Sequence, residues 1–233
     1  MKHERIQAYY DERHAREDAF PRDDVRTAYF LAPLLTSVPN GALALDFGCG
    51  VGYACELLYR AGYATVGIEI AESALERARE RIPQGRFYLA DPGGRIPLES
   101  GVVDALACLG VLEHIPEPHC VLAECRRVLA DHGRAVFVVP NAWSPYFAVG
   151  SGTGQEYEKP RTRGDWVSLF REAGFAVRSC RKDPGPTIER TFAKNKKLRI
   201  RAHRLLNWLP MAWTYQFVFE LMTAGRIDPD GQS

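Results

Sequence analysis

Ala42-Leu43-Ala44-Leu45-Asp46-Phe47-Gly48-Cys49-Gly50-Val51-Gly52 is the stretch that decides the fold. An apolar run ends in an acid and opens into three glycines at alternate positions. Ala42 to Phe47 reads as a short buried strand, apolar on both faces as parallel-sheet strands are. Gly48, Gly50 and Gly52 give a turn that takes positive φ and brings its N–H groups close to a ligand. Tyr53 to Ala61 follows as a helix stopped by Gly62. Strand, glycine turn and helix make the ligand-binding corner of a doubly wound sheet.

Spacing narrows the ligand. The dinucleotide fingerprint is Gly-x-Gly-x-x-Gly. Here the third glycine comes one residue early and position 53 is Tyr, while Asp46 is foreign to that pattern. A nicotinamide-dependent oxidoreductase is therefore the least favoured reading. Ala64-Thr65-Val66-Gly67-Ile68-Glu69-Ile70 is a second apolar strand, whose acid Glu69 lies 21 residues after Gly48. A carboxylate at that offset accepts both hydroxyls of a ribose. The two features together predict a nucleoside-containing cofactor.

With these residues the sequence resembles the class I S-adenosylmethionine-dependent methyltransferases. Leu45 to Gly52 is similar to their first motif and Gly67 to Ala71 to their second. Phe87-Tyr88-Leu89-Ala90-Asp91 is similar to the third, and Val103 to Ile115 to the fourth. The resemblance covers about residues 40 to 182. It implies a Rossmann-like seven-stranded, mostly parallel sheet in the order 3-2-1-4-5-7-6, with the last strand antiparallel and helices on both faces. It also implies S-adenosyl-L-methionine as cofactor, held by Asp46, Gly48, Cys49, Gly50, Glu69, Ile70, Asp91 and Leu109. Asp91 would receive the adenine amine, or else cap the turn before Pro92-Gly93. Leu109 would lie beside the methionine part.

Composition agrees with one enzyme domain. A chain of 233 residues is ample for a buried core, and a net charge of +1 argues against a protein dominated by nucleic-acid binding. No run of 18 apolar residues exists and the first residues are Met-Lys-His-Glu-Arg, so a soluble, cytoplasmic location is expected. The six cysteines form no Cys-x-x-Cys pair, and no acid cluster suggests a metal. Residues 1–40 are expected as an N-terminal helical lid and 41–182 as the cofactor-binding core. A basic and apolar insertion over 183–213 and a last strand over 214–222 complete the chain.

Candidate acceptor-side residues come from three places. Glu4 to Arg16 and Asp24 to Thr36 read as helices; Tyr9 and Tyr10 on the first either close the site or form the apolar face of an amphipathic helix. Gly110 to Ile115 turns out of the fourth strand at the carboxyl edge of the sheet, where ligands bind. His114 there is the candidate general base, with orientation of the loop as the alternative role. Pro118 to Leu129 reads as a helix stopped by Asp131-His132-Gly133, followed by a fifth strand over Arg134 to Val139. Residues 141 to 162 are irregular and carry Trp143 and Tyr146, the candidate walls of a substrate pocket.

Arg190 to Arg204 holds seven Lys or Arg and no acids, and an apolar aromatic run follows to Trp213. This 190–213 stretch is either a cover with its charges in water or a contact for a membrane surface, an anionic substrate or RNA. No Asn-Pro-Pro-Tyr, Asp-Pro-Pro-Tyr or Pro-Cys occurs, which disfavours adenine, glutamine-amide and covalent cytosine methylation. The expectation is methyl transfer to an O or N atom of a small-molecule acceptor. RNA methylation and a non-catalytic cofactor-binding protein are the alternatives. Oligomeric state is not legible here.

Overall fold

In a computed structural model the described residues are 2–15, 23–144, 157–183 and 210–225. The strands are β1 (Leu43–Phe47), β2 (Ala64–Glu69), β3 (Arg86–Leu89), β4 (Val103–Leu109), β5 (Leu129–Pro140), β6 (Phe175–Asp183) and β7 (Gln216–Thr223). They form one sheet in the order β3-β2-β1-β4-β5-β7-β6, as expected. β1 pairs in parallel with β2 and β4, β2 with β3, and β4 with β5. β7 lies antiparallel between β5 and β6.

Strand alternation divides the core between two faces. Leu106, Cys108, Phe137 and Val139 point to one side, where they pack with residues of α5 (Pro118–Val128) and α6 (Arg163–Glu172). Ala105, Ala107, Val136 and Val138 point to the other, against α2 (Asp24–Leu31) and α3 (Tyr53–Arg60). On the first face Phe170 lies 5.2 Å from both Phe137 and Phe219, ring centre to ring centre. Trp166 is fully buried and donates its indole N–H to the carbonyl of Pro140 at 3.0 Å, so no polar atom of the ring is stranded. Thr162 and Asp165 start α6 with a reciprocal capping box.

Two boundaries differ from expectation by more than two residues. β5 begins at Leu129, not after Gly133, because Leu129 and Ala130 are buried and Leu129 pairs with Val103. Residues between Leu129 and Arg134 bulge out of register, and a Cβ at Gly133 would stand 2.8 Å from Leu129 Cδ1 and 2.9 Å from the Val103 carbonyl. Gly133 thus serves close approach inside an irregular strand and not a helix stop. α2 ends at Leu31, short of the expected Thr36, since Pro33 has no N–H to continue it. Leu34 is nevertheless buried with α2's apolar face.

α1 (Lys2–His14) lies against α4 (Glu72–Arg81), the helix that follows β2. α4 has no side-chain cap of its own, as Ala71 occupies the cap position. Asp11 of α1 fills that role from outside: its Oδ1 accepts the Ser73 amide at 3.1 Å. Ser73 Oγ donates back to the Asp11 carbonyl, and Arg77 donates to the His14 carbonyl, both at 3.1 Å. The first helix is therefore fixed over the carboxyl edge of the sheet. The basic segment 190–204 and most of the 183–213 insertion lie outside the described residues.

Candidate active site

The glycine turn is suspended from the end of β2. Gly48 and Cys49 donate their N–H groups to the Ile68 carbonyl at 2.7 and 3.0 Å. Gly48 takes φ +79° and Gly50 φ +51°, which L side chains rarely adopt. A Cβ at Gly48 would also stand 2.3 Å from Val111 Cγ2, so the position has neither conformational nor spatial room for one. Gly50 donates to Glu69 Oε2 at 2.9 Å, while Glu69 Oε1 accepts the amides of Ile70 at 2.7 Å and Ala71 at 3.1 Å. Burial pushes the Glu69 carboxyl above its ordinary range, and these three N–H bonds pull it back.

A cleft of about 680 Å³ opens over this turn, of a size that holds a drug-sized ligand. Gly48, Cys49, Gly50, Glu69, Ile70, Asp91 and Leu109 all line it, seven of the eight expected cofactor residues. Asp46 does not. Its carboxyl is 2% exposed, receives the Cys55 thiol at 3.6 Å and is pushed up to about 7, chiefly by burial. Asp91 lines the cleft and also caps its own turn, Oδ1 accepting the Gly93 amide at 2.8 Å. Both roles foreseen for it are geometrically compatible.

Of the two candidate tyrosines, Tyr10 lines the cleft and Tyr9 does not. Tyr9 packs edge-on against Tyr10 at 5.2 Å and accepts from Arg13 through its hydroxyl. Ile6 and His14 join Tyr10 on the wall. These three follow one another at intervals of four, one stripe of a helix, and that spacing was visible in the sequence. His14 is 7% exposed, and burial with the nearby Arg77 and Arg13 lowers it to about 4, so it is neutral in the fold.

His114 sits on the opposite wall, in the single helical turn Leu112–His114 that follows β4. Its Nδ1 lies 2.6 Å from the Tyr157 carbonyl. A carbonyl only accepts, so Nδ1 carries the proton and Nε2 holds the lone pair in the neutral ring. Burial also lowers the affinity of this ring for a second proton. The ring centres of His114 and Tyr10 are 6.4 Å apart in an edge-on contact, so α1 meets the turn after β4 at the cleft. Trp143 is 68% exposed and is not on the cleft wall; Tyr146 lies outside the described residues.

A second concavity of about 780 Å³ lies beside the β3–β4 connection, and its lining shares only Asp91 with the cleft. Its Arg127 is already committed to Glu124 and to the carbonyls of Ile96 and Leu98, so that guanidinium is not free for recognition. Among the described residues no group of three or more His, Cys, Asp or Glu is placed to hold a metal ion, and no helix is long and apolar enough to cross a membrane.

The left-handed glycines, the carboxylates at the far end and the apolar remainder of the cleft suit a nucleoside joined to an amino acid. Comparison with known proteins agrees. Residues 45–137 match the family model described as a methyltransferase domain. A ubiquinone biosynthesis O-methyltransferase of Bordetella parapertussis is 34% identical over 163 residues, 67% of each chain. One from Methylococcus capsulatus is 28% identical over 172 residues, 68% of this chain and 72% of its own. Among solved structures, a TehB-like SAM-dependent methyltransferase from Corynebacterium glutamicum superposes with a TM-score of 0.62 at 18% identity, over 93% of this chain and 97% of that one. The chain belongs to the class I S-adenosylmethionine-dependent methyltransferases.

Proposed function

We propose that this enzyme methylates a hydroxyl group on a small, largely apolar aromatic acceptor, with His114 as the base that takes the hydroxyl proton. As a member of its family it transfers a methyl group from S-adenosyl-L-methionine to a small molecule; the choice of oxygen and of an aromatic ring is the further step. The observation that carries it is the His114 imidazole, with Nδ1 held by Tyr157 and Nε2 left basic in a cleft wall. An oxygen acceptor gains from such a base, whereas a nitrogen acceptor needs only desolvation and orientation. The curated relatives, named as O-methyltransferases of ubiquinone biosynthesis, support the same choice.

The bound cofactor supplies an activated methyl on a sulfonium. Gly48, Cys49 and Gly50 would cradle its amino-acid end, Glu69 would accept from the ribose, and Asp91 with Ile70 would flank the adenine. Leu109 would border the methionine chain, and Tyr10 with His14 would cover it from α1. Ile115, Val121 and Tyr10 then leave an apolar space beside His114 for the acceptor ring. The residues of the cleft align acceptor oxygen and methyl and keep water out, which is most of what this reaction requires.

The test is a panel of catechols, phenols and primary amines, followed by release of the demethylated cofactor. Catechols or phenols should be turned over and His114→Ala should slow them about 10²–10⁴-fold while cofactor affinity by calorimetry stays within error. Preference for amines would overturn the hydroxyl assignment, and an undiminished rate in the variant would return His114 to orienting its loop.

A further inference from the structure

Next to His114 stands a buried acid that the reaction as described does not use. Glu113 is 2% exposed, and its Oε2 has no hydrogen-bond partner among the described residues. Folded proteins pair nearly all such atoms, so this one calls for a reason. Glu113 Oε1 lies 3.7 Å from Nε2 of His114, the nitrogen that holds the lone pair. A short strap fixes both residues: the Tyr157 carbonyl accepts from His114 Nδ1 at 2.6 Å, and the Lys159 amide donates to the Glu113 carbonyl at 2.8 Å.

We infer that Glu113 is a positioning residue for the base: as a carboxylate 3.7 Å from His114 Nε2 it stabilises and orients the imidazolium formed when His114 takes the acceptor's proton. This rests on the reading of His114 as base. In the step, the acceptor O–H bond breaks and its proton goes to Nε2. The oxygen's electron pair forms the bond to the methyl carbon, and the carbon–sulfur bond breaks with its electrons left on sulfur. No oxidant or further reactant is needed. The imidazolium and the Glu113 carboxylate then form a close ion pair in place of a lone buried charge.

The surroundings decide when the carboxylate exists. Glu113 faces His114 on its own turn, Glu158 and Arg161 from the strap, Tyr10 from α1 and Cys108 from β4. His114 faces Glu158, Arg13 and the ring of Tyr10. Burial dominates for both groups, pushing Glu113 up to about 8 and His114 below its ordinary value. At neutral pH the pair therefore rests uncharged, as carboxylic acid and imidazole. Ionisation of Glu113 converts it into the stronger base.

Two measurements test this. The first needs no acceptor: the full-length protein, labelled with ¹⁵N-histidine, is titrated by NMR, with His114 assigned from the signal lost in His114→Asn. The His114 nitrogens should show the Nδ1–H form and an inflection near pH 8 that is absent in Glu113→Gln. No inflection in the unmodified protein, or the same inflection in the variant, would overturn the inference. In the second, catechol and S-adenosyl-L-methionine are the substrates. The turnover number should rise through that inflection, and Glu113→Gln should remove the rise and lower it about 10-fold, with Glu113→Asp restoring part of the rise. A fall in turnover with the pH profile unchanged would mean a structural role only and would also overturn it. If catechol is not turned over but the inflection is present and lost in Glu113→Gln, the hydroxyl-acceptor reading fails while the coupling of the two side chains stands.

Discussion

Glu69 Oε2 accepts the amide of Gly50 at 2.9 Å, so the acid that ends the second strand supports the glycine turn that follows the first. With its other oxygen on Ile70 and Ala71, this carboxylate meets three N–H donors. Glu69→Gln places an NH₂ against one set of donors and leaves buried N–H groups unpaired, at a cost of about 1–3 kcal/mol. Affinity for S-adenosyl-L-methionine should fall by about 10- to 100-fold on calorimetric titration, and the melting temperature should fall with it. Affinity equal to that of the unmodified protein would remove Glu69 from the cofactor site.

Gly48→Ala should be more severe. The residue combines φ +79° with a Cβ position 2.3 Å from Val111 Cγ2, so the side chain is both strained and blocked. Val111 lies just beyond β4, and moving it shifts the wall that carries His114. We expect at least 2 kcal/mol of lost stability and no measurable cofactor binding, read from thermal melting and calorimetry. A variant that binds normally would show that the turn relaxes at no cost.

Asp11 tests the docking of α1 separately from the chemistry. Its carboxylate caps α4 through the Ser73 amide and also accepts from Ser73 Oγ, and its hydrogen bonds to Ser73 lie outside the cleft wall. Asp11→Ala should cost about 1 kcal/mol, or about 2–4 °C in melting temperature for a chain of this size. Because Tyr10 and His14 are carried by the same helix, cofactor affinity should also weaken, and amide exchange over residues 2–15 should accelerate. Faster exchange with unchanged affinity would separate α1 from cofactor binding.

Most of the fold was legible because its cause is local. Glycines at alternate positions, a strand on either side and an acid at the end of each strand predict the sheet corner, and seven of the eight residues expected there line the cleft. What escaped has non-local causes. Asp46 carries the same sequence signal as Glu69, yet the chain folds over it, and only packing reveals that it is buried beside Cys55. The capping of α4 by Asp11 spans 62 residues and leaves no trace in either segment alone. Gly133 resembles a helix stop until Val103 is placed beside it. Glu113 looks like one more loop acid, because nothing in its neighbours announces burial.

Those buried acids set the response of stability to pH. Asp46 rises to about 7 and Glu113 to about 8, both chiefly through burial, whereas unfolded carboxyls titrate near about 4. Between those values the folded chain binds more protons than the unfolded one, so stability falls as pH rises. His14 works in the opposite direction: lowered to about 4 from 6.5, it makes stability rise with pH, but only below its ordinary value. Above pH 6.5 His14 no longer contributes, and Glu69, also raised by burial, acts in the same direction as the other two acids. Chemical denaturation should therefore show a loss of about 3 kcal/mol between pH 6.5 and about pH 8.5, the sum expected from Asp46 and Glu113. Asp46→Asn combined with Glu113→Gln should flatten that decline. A profile in the unmodified protein that is level or rising over the same range would mean that both acids are already ionised in the fold.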